Sequence, residues 1–241
     1  MSHVVFIGAG PGSADLITLR GARALAQAQV VLFDALADPA LKELAPQAEW
    51  LDVGKRGFSG RPDSNANGQA RINALLVAQA REHALVARLK GGDPSIFGRL
   101  DEELQALAEA GISCEVIPGV TAAVAAAADA CRPLTRRGAG RSVSLATAMT
   151  RTGDLHATRT ADTEIYYMAG RQLPALSERL TLAGWPADTP VSATSRAGWP
   201  DQRSSDHTVA TLGEADALHA GRPTVVVVGV GALPVGAALA P

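Results

Sequence analysis

The chain is poor in cysteine and in lysine. Cys114 and Cys131 are its only cysteines in 241 residues, and no histidine cluster accompanies them. That is no zinc pattern, and two cysteines are too few for a disulfide scaffold. Both are expected in apolar packing, as small hydrophobes. The five histidines (His3, His83, His156, His207, His219) are scattered singly in mostly polar stretches and read as surface residues. No apolar run approaches the roughly 18 residues that a membrane-spanning helix needs. Nor does a charged-then-apolar leader open the chain. MSHVVFIGAGPG goes straight into a strand and a tight glycine loop, so a cytoplasmic location is expected. The net charge of −2 offers no general basic surface for nucleic acid. Among the 22 basic residues only Lys42, Lys55 and Lys90 are lysine. A GC-rich genome accounts for that, and so does a use for arginine forks that bind carboxylates bidentately.

What is present is a regular alternation. Val4–Ile7, Val30–Phe33, Trp50–Val53, Leu85–Leu89 and Cys114–Ile117 read as strands. Between them Thr18–Ala28, Gln69–Glu82 and Asp101–Ala110 carry apolar residues at helical spacing. Strand–helix alternation predicts a parallel sheet covered on both faces, with ligands at the carboxyl ends of its strands. Four of those ends carry GAGPG, FDAL, VGKR and KGGDP. A break follows at Ile117-Pro118-Gly119, placing a domain boundary there: 1–118 and 119–241, both α/β. After a small-residue helix and a basic irregular stretch, Ser142–Ala146, Glu164–Met168, Pro190–Thr194 and Thr224–Gly229 read as strands, with a helix at Leu173–Ala183. Gly57–Gly68 is rich in Gly, Ser, Asn and Pro and reads as a flexible loop, and no internal repeat is visible.

GAGPG at Gly8–Gly12 follows a strand and precedes a helix, but it is not a dinucleotide fingerprint. Ser13 stands where the third glycine belongs, and Pro11 removes a backbone donor that phosphate binding would use. A Gly-Pro-Gly turn still permits close backbone approach to a ligand without phosphate, such as an adenosyl group. Asp34 ends the second strand, either as a cap or turn residue or as a carboxylate poised for proton transfer. The most informative run is RLKGGDPSIFGR, Arg88–Arg99. Two glycines after a strand allow close ligand approach, and Lys90, Asp93 and Arg99 are expected to converge near one strand end.

Together these segments resemble the tetrapyrrole methylase family, and most closely the branch that methylates uroporphyrinogen III. The resemblance rests on collinear runs across nearly the whole chain: IGAGPGSADLITLRGARAL, VLFDAL, DVGKR, RLKGGDPSIFGRLDEE, VIPGVTAAVAAAADACRPLTRR, EIYYMAG, PVSATSRAGWPDQR and PTVVVVG. It implies two α/β domains of the class III methyltransferase kind with a cofactor cleft between them, and a homodimer. S-adenosylmethionine is the implied cofactor, S-adenosylhomocysteine its product, and a tetrapyrrole the substrate. Neither nucleic acid nor membrane is implied as a partner.

Carried over by the resemblance, Pro11, Gly91, Gly92, Asp93 and Ile96 would line the cofactor site. So would Thr121, Ala122, Met168, Ala197 and Thr224; by its residue type alone Met168 reads as core. Asp34 and Lys55 correspond to the implied proton acceptor and donor, and Arg99, Glu102 and Arg137 to groups on the substrate side. The chemistry suits those types. Methyl transfer from a sulfonium is an in-line displacement governed by positioning, protons must move around the macrocycle, and arginines anchor carboxylates.

The chain departs from the family mainly on the substrate side. GFSGRPDSNANGQ replaces a shorter histidine-containing segment after VGKR, PLTRR replaces PLTHR, ATAMT replaces VTGH, and Asp34-Ala35-Leu36 replaces Asp-Arg-Leu. Methylation of a later corrinoid precursor, methylation of RNA or protein, and a non-catalytic adenosyl-binding role are the alternatives to methylation of uroporphyrinogen III.

Overall fold

The computed structural model describes residues 2–54, 65–149 and 155–237. It divides the chain into two compact units, 1–121 and 122–241.

The first unit is built on five parallel strands: β1 (His3–Gly8), β2 (Val30–Phe33), β3 (Glu49–Asp52), β4 (Leu85–Lys90) and β5 (Ser113–Ile117). They lie in the order β3-β2-β4-β1-β5. Successive side chains on a strand point to opposite faces, so β1 serves two cores at once. Val5 and Ile7 pack with Leu25, Val31 and Leu89 on one face. Val4 and Phe6 pack with Leu32, Val86, Leu76 and Leu107 on the other. Burial on both faces explains why β1 and β2 carry consecutive apolar residues (Val4–Ile7, Val30–Phe33) rather than alternating ones.

Leu25 comes from α1 (Leu19–Leu25), which Thr18 caps by accepting from the Gly21 amide at 3.0 Å. Leu76 and Leu107 come from α2 (Asn65–Glu82) and α3 (Leu100–Glu109). α2 begins four residues before its expected start and takes in the last part of the expected 57–68 loop; residues 57–64 of that loop lie outside the described residues. Gln69 and Asn73 dock α2 onto α3, and a helix so anchored propagates through weak formers such as Asn and Gly.

The second unit contains α4 (Ala122–Asp129), β6 (Val143–Thr147), β7 (Thr163–Tyr167), α5 (Leu173–Leu182), β8 (Pro190–Ser195), β9 (Arg203–Thr208), α6 (Asp216–His219) and β10 (Thr224–Gly229). Its sheet runs β6-β7-β10-β8-β9 and is mixed: β6 and β7 are parallel, and the other pairings are antiparallel. Tyr166, Leu173, Leu176, Leu180, Val191, Val226 and Val228 fill its core. Sequence reading misses β9, because RSSDHT has no apolar residue to set a period. It forms as an edge strand on β8, and its Asp206 is gripped by the Arg132 fork, Nη1 to Oδ1 at 2.5 Å and Nη2 to Oδ2 at 2.6 Å.

Three expectations about single residues are overturned. Both cysteines are exposed, Cys114 because β5 is an edge strand and Cys131 because it sits in a left-handed turn (φ 52°) just beyond α4. His219 is fully buried, its Nε2 2.9 Å from the Ser205 hydroxyl, because α6 packs against β8. Met168 is 38% exposed and left-handed (φ 58°) rather than core, since it stands one residue past the end of β7. Among the described residues no helix is long and apolar enough to cross a membrane.

Candidate active site

In the first unit the parallel register brings the strand ends together. Gly8 of β1 lies beside Lys90 of β4, and Ile7 beside Ile117 of β5. The turns that follow are knitted by backbone. Gly10 and Gly92 exchange two hydrogen bonds, Gly92 N to Gly10 O at 2.7 Å and Gly10 N to Gly92 O at 3.3 Å. Gly8 and Gly119 approach so closely that a Cβ on Gly8 would stand 2.5 Å from the Gly119 Cα and 2.8 Å from the Gly92 carbonyl oxygen. No side chain fits there. GAGPG, GGD and PGV are therefore glycine-rich for a joint reason, mutual backbone contact at one sheet edge.

Two carboxylates tie this junction. Asp93 accepts from Gly119 N through Oδ2 at 2.9 Å and from Ser95 N through Oδ1 at 2.8 Å. Asp34, just past β2, accepts from Leu36 N through Oδ1 at 3.0 Å and from Gly91 N through Oδ2 at 3.3 Å. Each carboxylate oxygen has a second lone pair, so the half-buried Asp34 keeps acceptor capacity while being oriented by the first glycine of GGD. Pro11, Ile96 and Thr121 are each partly exposed, at the three turns leaving β1, β4 and β5.

Arg99 follows the same turn. It lies at φ 54°, as does Phe97 two residues earlier. A non-glycine residue there carries strain that sterically open loops avoid. Its guanidinium forks Glu102, Nε to Oε1 at 2.5 Å and Nη2 to Oε2 at 2.6 Å. Both side chains are more than a third exposed, and Arg99 lines a concavity with Ser95, Phe97, Gly98 and Leu104.

Lys90 is held by a partner that the sequence did not single out. Its ammonium turns into the interior and donates to Glu103 Oε2 at 2.8 Å, while Arg88 donates to Glu103 Oε1 from Nε at 3.3 Å and from Nη2 at 3.2 Å. All three are buried. Burial alone would push the Glu103 carboxyl up, but the two cations outweigh it and hold it below its ordinary value. Burial and the neighbouring Arg88 charge lower the Lys90 ammonium, with Glu103 only partly offsetting them. Sequence reading passed over Arg88 and Glu103 as members of a charged segment; the one signal was an acidic pair, Glu102-Glu103, opening a helix after an arginine.

In the second unit three expected cofactor residues meet at one sheet edge. β7 and β8 run antiparallel to β10, so the ends of β7 and β8 flank the start of β10. Met168 follows β7, Ala197 follows β8, and Thr224 opens β10, paired with Ser195. Thr224 and Ala197 are buried; the Thr224 hydroxyl donates to the Arg222 carbonyl at 2.9 Å, and Ala169 N donates to the Thr224 carbonyl at 3.1 Å. Met168 alone of the three presents a large apolar side chain to solvent. Ala122 is the first residue of α4, and Arg137 stands exposed in the turn between the bridged residues Arg136 and Gly140. Lys55 lies outside the described residues.

A five-stranded parallel sheet with a glycine junction at its carboxyl edge, followed by a mixed α/β unit, defines a two-unit α/β protein. The profile of the Tetrapyrrole (Corrin/Porphyrin) Methylases matches residues 3–216, and the chain belongs to that family. The chain is 38% identical over 238 residues to the uroporphyrinogen-III C-methyltransferase of Synechocystis sp., covering 95% of this chain and 89% of that protein. It is also 38% identical over 225 residues to the siroheme synthase of Psychrobacter cryohalolentis, covering 91% of this chain but 42% of that longer protein. Of the siroheme synthase of Azotobacter vinelandii it spans 50%, at 41% identity and 95% of this chain. Among solved structures it resembles the uroporphyrin-III C-methyl transferase of Thermus thermophilus complexed with S-adenyl homocysteine, with TM-score 0.80, 32% identity, and 94% and 97% of the two chains covered. It also resembles a cobalt precorrin-4 methyltransferase, with TM-score 0.81, 29% identity, and 96% of each chain covered.

Proposed function

We propose that this chain transfers methyl groups from S-adenosylmethionine to carbons of uroporphyrinogen III, twice, giving precorrin-2 in siroheme- or cobalamin-type tetrapyrrole synthesis. The observation that carries the reading is the glycine junction. Gly8, Gly10, Gly92 and Gly119 let the turns after β1, β4 and β5 meet backbone to backbone at the carboxyl edge of the sheet, beside an oriented carboxylate at Asp34. Turns gathered at the carboxyl ends of parallel strands are where α/β sheets bind ligands, and the partly exposed Met168 suits an apolar contact to an adenosyl ring.

When bound, S-adenosylmethionine would supply an electrophilic methyl on its sulfonium for an in-line transfer to a ring carbon, with neutral S-adenosylhomocysteine as the leaving product. The protein's part is placement and proton handling. In this reading Pro11, Gly91, Gly92, Asp93, Ile96, Thr121, Ala122, Met168, Ala197 and Thr224 are the cofactor-binding residues. Asp34 takes the proton that the methylated macrocycle must lose, and Lys55 returns one where the double bonds shift. Arg99, steered by Glu102, and Arg137 engage substrate carboxylates. The two units serve as its two domains, and the reading extends to a homodimer in the cytoplasm, checked by light scattering and by cell fractionation.

The test is incubation of the pure protein with uroporphyrinogen III and S-adenosylmethionine, followed by mass measurement of the product. A gain of two methyl groups is expected. No gain, or methylation only of a later corrinoid, removes the assignment.

A further inference from the structure

The first turn of α3 is pulled two ways by adjacent glutamates. Glu102 points to the Arg99 fork, half exposed, while Glu103 turns inward to two cations of β4 and is fully buried. Glu103 has little freedom. Oε1 accepts from Arg88 and, at 3.1 Å, from Gln69 Nε2 of α2, and Oε2 accepts from Lys90. Arg88 is itself fixed by the Leu89 carbonyl at 2.9 Å. Gln69 also bonds Asn73 at 2.8 Å, and Asn73 donates to the backbone carbonyl of Glu102 at 3.0 Å. A closed circuit thus runs from β4 through Glu103, Gln69 and Asn73 back to the backbone of Glu102. The loop Gly91–Arg99 is the short span between Lys90, which Glu103 holds at one end, and α3 at the other; a Cβ on its Gly98 would stand 3.1 Å from the Lys90 Cε.

Two buried cations against one buried carboxylate is an unusual arrangement for stability alone. Isosteric apolar packing generally does as well as a buried ion pair, and here one positive charge is left over. The arrangement does give directional anchoring, because each carboxylate oxygen is claimed by a different donor. We propose that Glu103 is a positioning residue for methyl transfer: by clamping Arg88 and Lys90 to the first turn of α3, it sets the place of the Arg99–Glu102 fork relative to the GGD turn. The inference rests on the reading in which Arg99 engages the tetrapyrrole.

The test compares Glu103→Gln with the double variant Glu103→Gln/Lys90→Met, which restores the wild-type charge of the cluster and so protects folding. Steady-state turnover of uroporphyrinogen III and calorimetric S-adenosylhomocysteine binding are measured for each. A misplaced fork predicts KM for the tetrapyrrole raised about tenfold in both variants, because small displacements of a positioning group have large kinetic effects, with S-adenosylhomocysteine affinity within about twofold of wild type. A purely structural role would reduce the folded fraction, lowering apparent kcat and leaving KM unchanged; that result, or insolubility of both variants, overturns the proposal. Absence of turnover by the wild type would instead overturn the assigned reaction, so the two failures are separable.

Discussion

Arg99 and Glu102 form a two-point fork three residues apart at the start of α3, with Arg99 in the left-handed region as the residue preceding the helix. A surface pair at this spacing is worth only about 0.3–0.5 kcal/mol, too little to account for a strained backbone at Arg99. The fork is better understood as orienting a guanidinium that cannot lose its proton. Arg99→Lys keeps the charge and loses the planar fork, so turnover should fall on the order of tenfold or more while S-adenosylhomocysteine binding stays near wild type. Steady-state kinetics and calorimetry on the same preparation check this, and full activity in Arg99→Lys would remove Arg99 from the site.

Gly8 makes a stricter demand. An added methyl would meet both Gly119 and the Gly92 carbonyl, and neither is a flexible side-chain end that can move aside. Gly8→Ala should destabilise the chain by about 1–3 kcal/mol and weaken S-adenosylhomocysteine binding by more than tenfold, since the junction itself opens. Gly111→Ala, where no atom stands within 4 Å of an added Cβ but φ is 68°, is the control: it carries backbone strain without touching the junction, and its ligand affinity should be unchanged.

His219 adds a pH dependence. Burial first, then the charges of His207, Arg222 and Arg203, lower its imidazole from 6.5 to about 4. A base whose folded value is depressed is neutral in the fold and binds a proton more readily when unfolded. Its contribution is therefore fully present above pH 6.5 and is lost as pH falls towards about 4. Melting temperatures between pH 7 and 4.5 should fall more steeply for wild type than for His219→Leu. Parallel curves would show that His219 does not titrate with unfolding.

Met168 stands just past the end of β7 with 38% of its surface exposed, so part of its apolar side chain is open to a ligand. If it contacts the cofactor, Met168→Ala should weaken S-adenosylhomocysteine binding about fivefold to tenfold, the loss of roughly one or two buried methylenes, and leave thermal stability within about 0.5 kcal/mol of wild type. Unchanged affinity would exclude the contact.

Much of this was legible in the chain itself. The alternation of strand and helix patterns through β1, α1, β2, α2, β4, α3 and β5 announced a parallel sheet, because parallel neighbours need a crossover between them. The run RLKGGDPSIFGR announced a tight turn after a strand, because glycines there permit close approach, and Gly92 is bridged to Gly10. The polar β9 was not legible, because an edge strand held by backbone pairing and by Arg132 needs no apolar residue. Neither were the exposure of Cys114 and Met168 nor the burial of His219, since burial depends on where an element sits in the sheet rather than on residue type.

The sequence by itself determined which segments become strands and helices in the first unit, and which turns carry glycine. It did so because periodicity and backbone permissiveness are local properties. Tertiary structure alone decided which turns touch: Gly8 with Gly119 across 111 positions, Asp34 with Gly91, and Glu103 with Arg88 and Lys90. The two adjacent glutamates look equivalent in the chain. Only the packing of α3 on β4 makes one an exposed partner for Arg99 and the other a buried counter-charge, because helical geometry turns successive side chains about 100° apart and just one of the two directions leads inward.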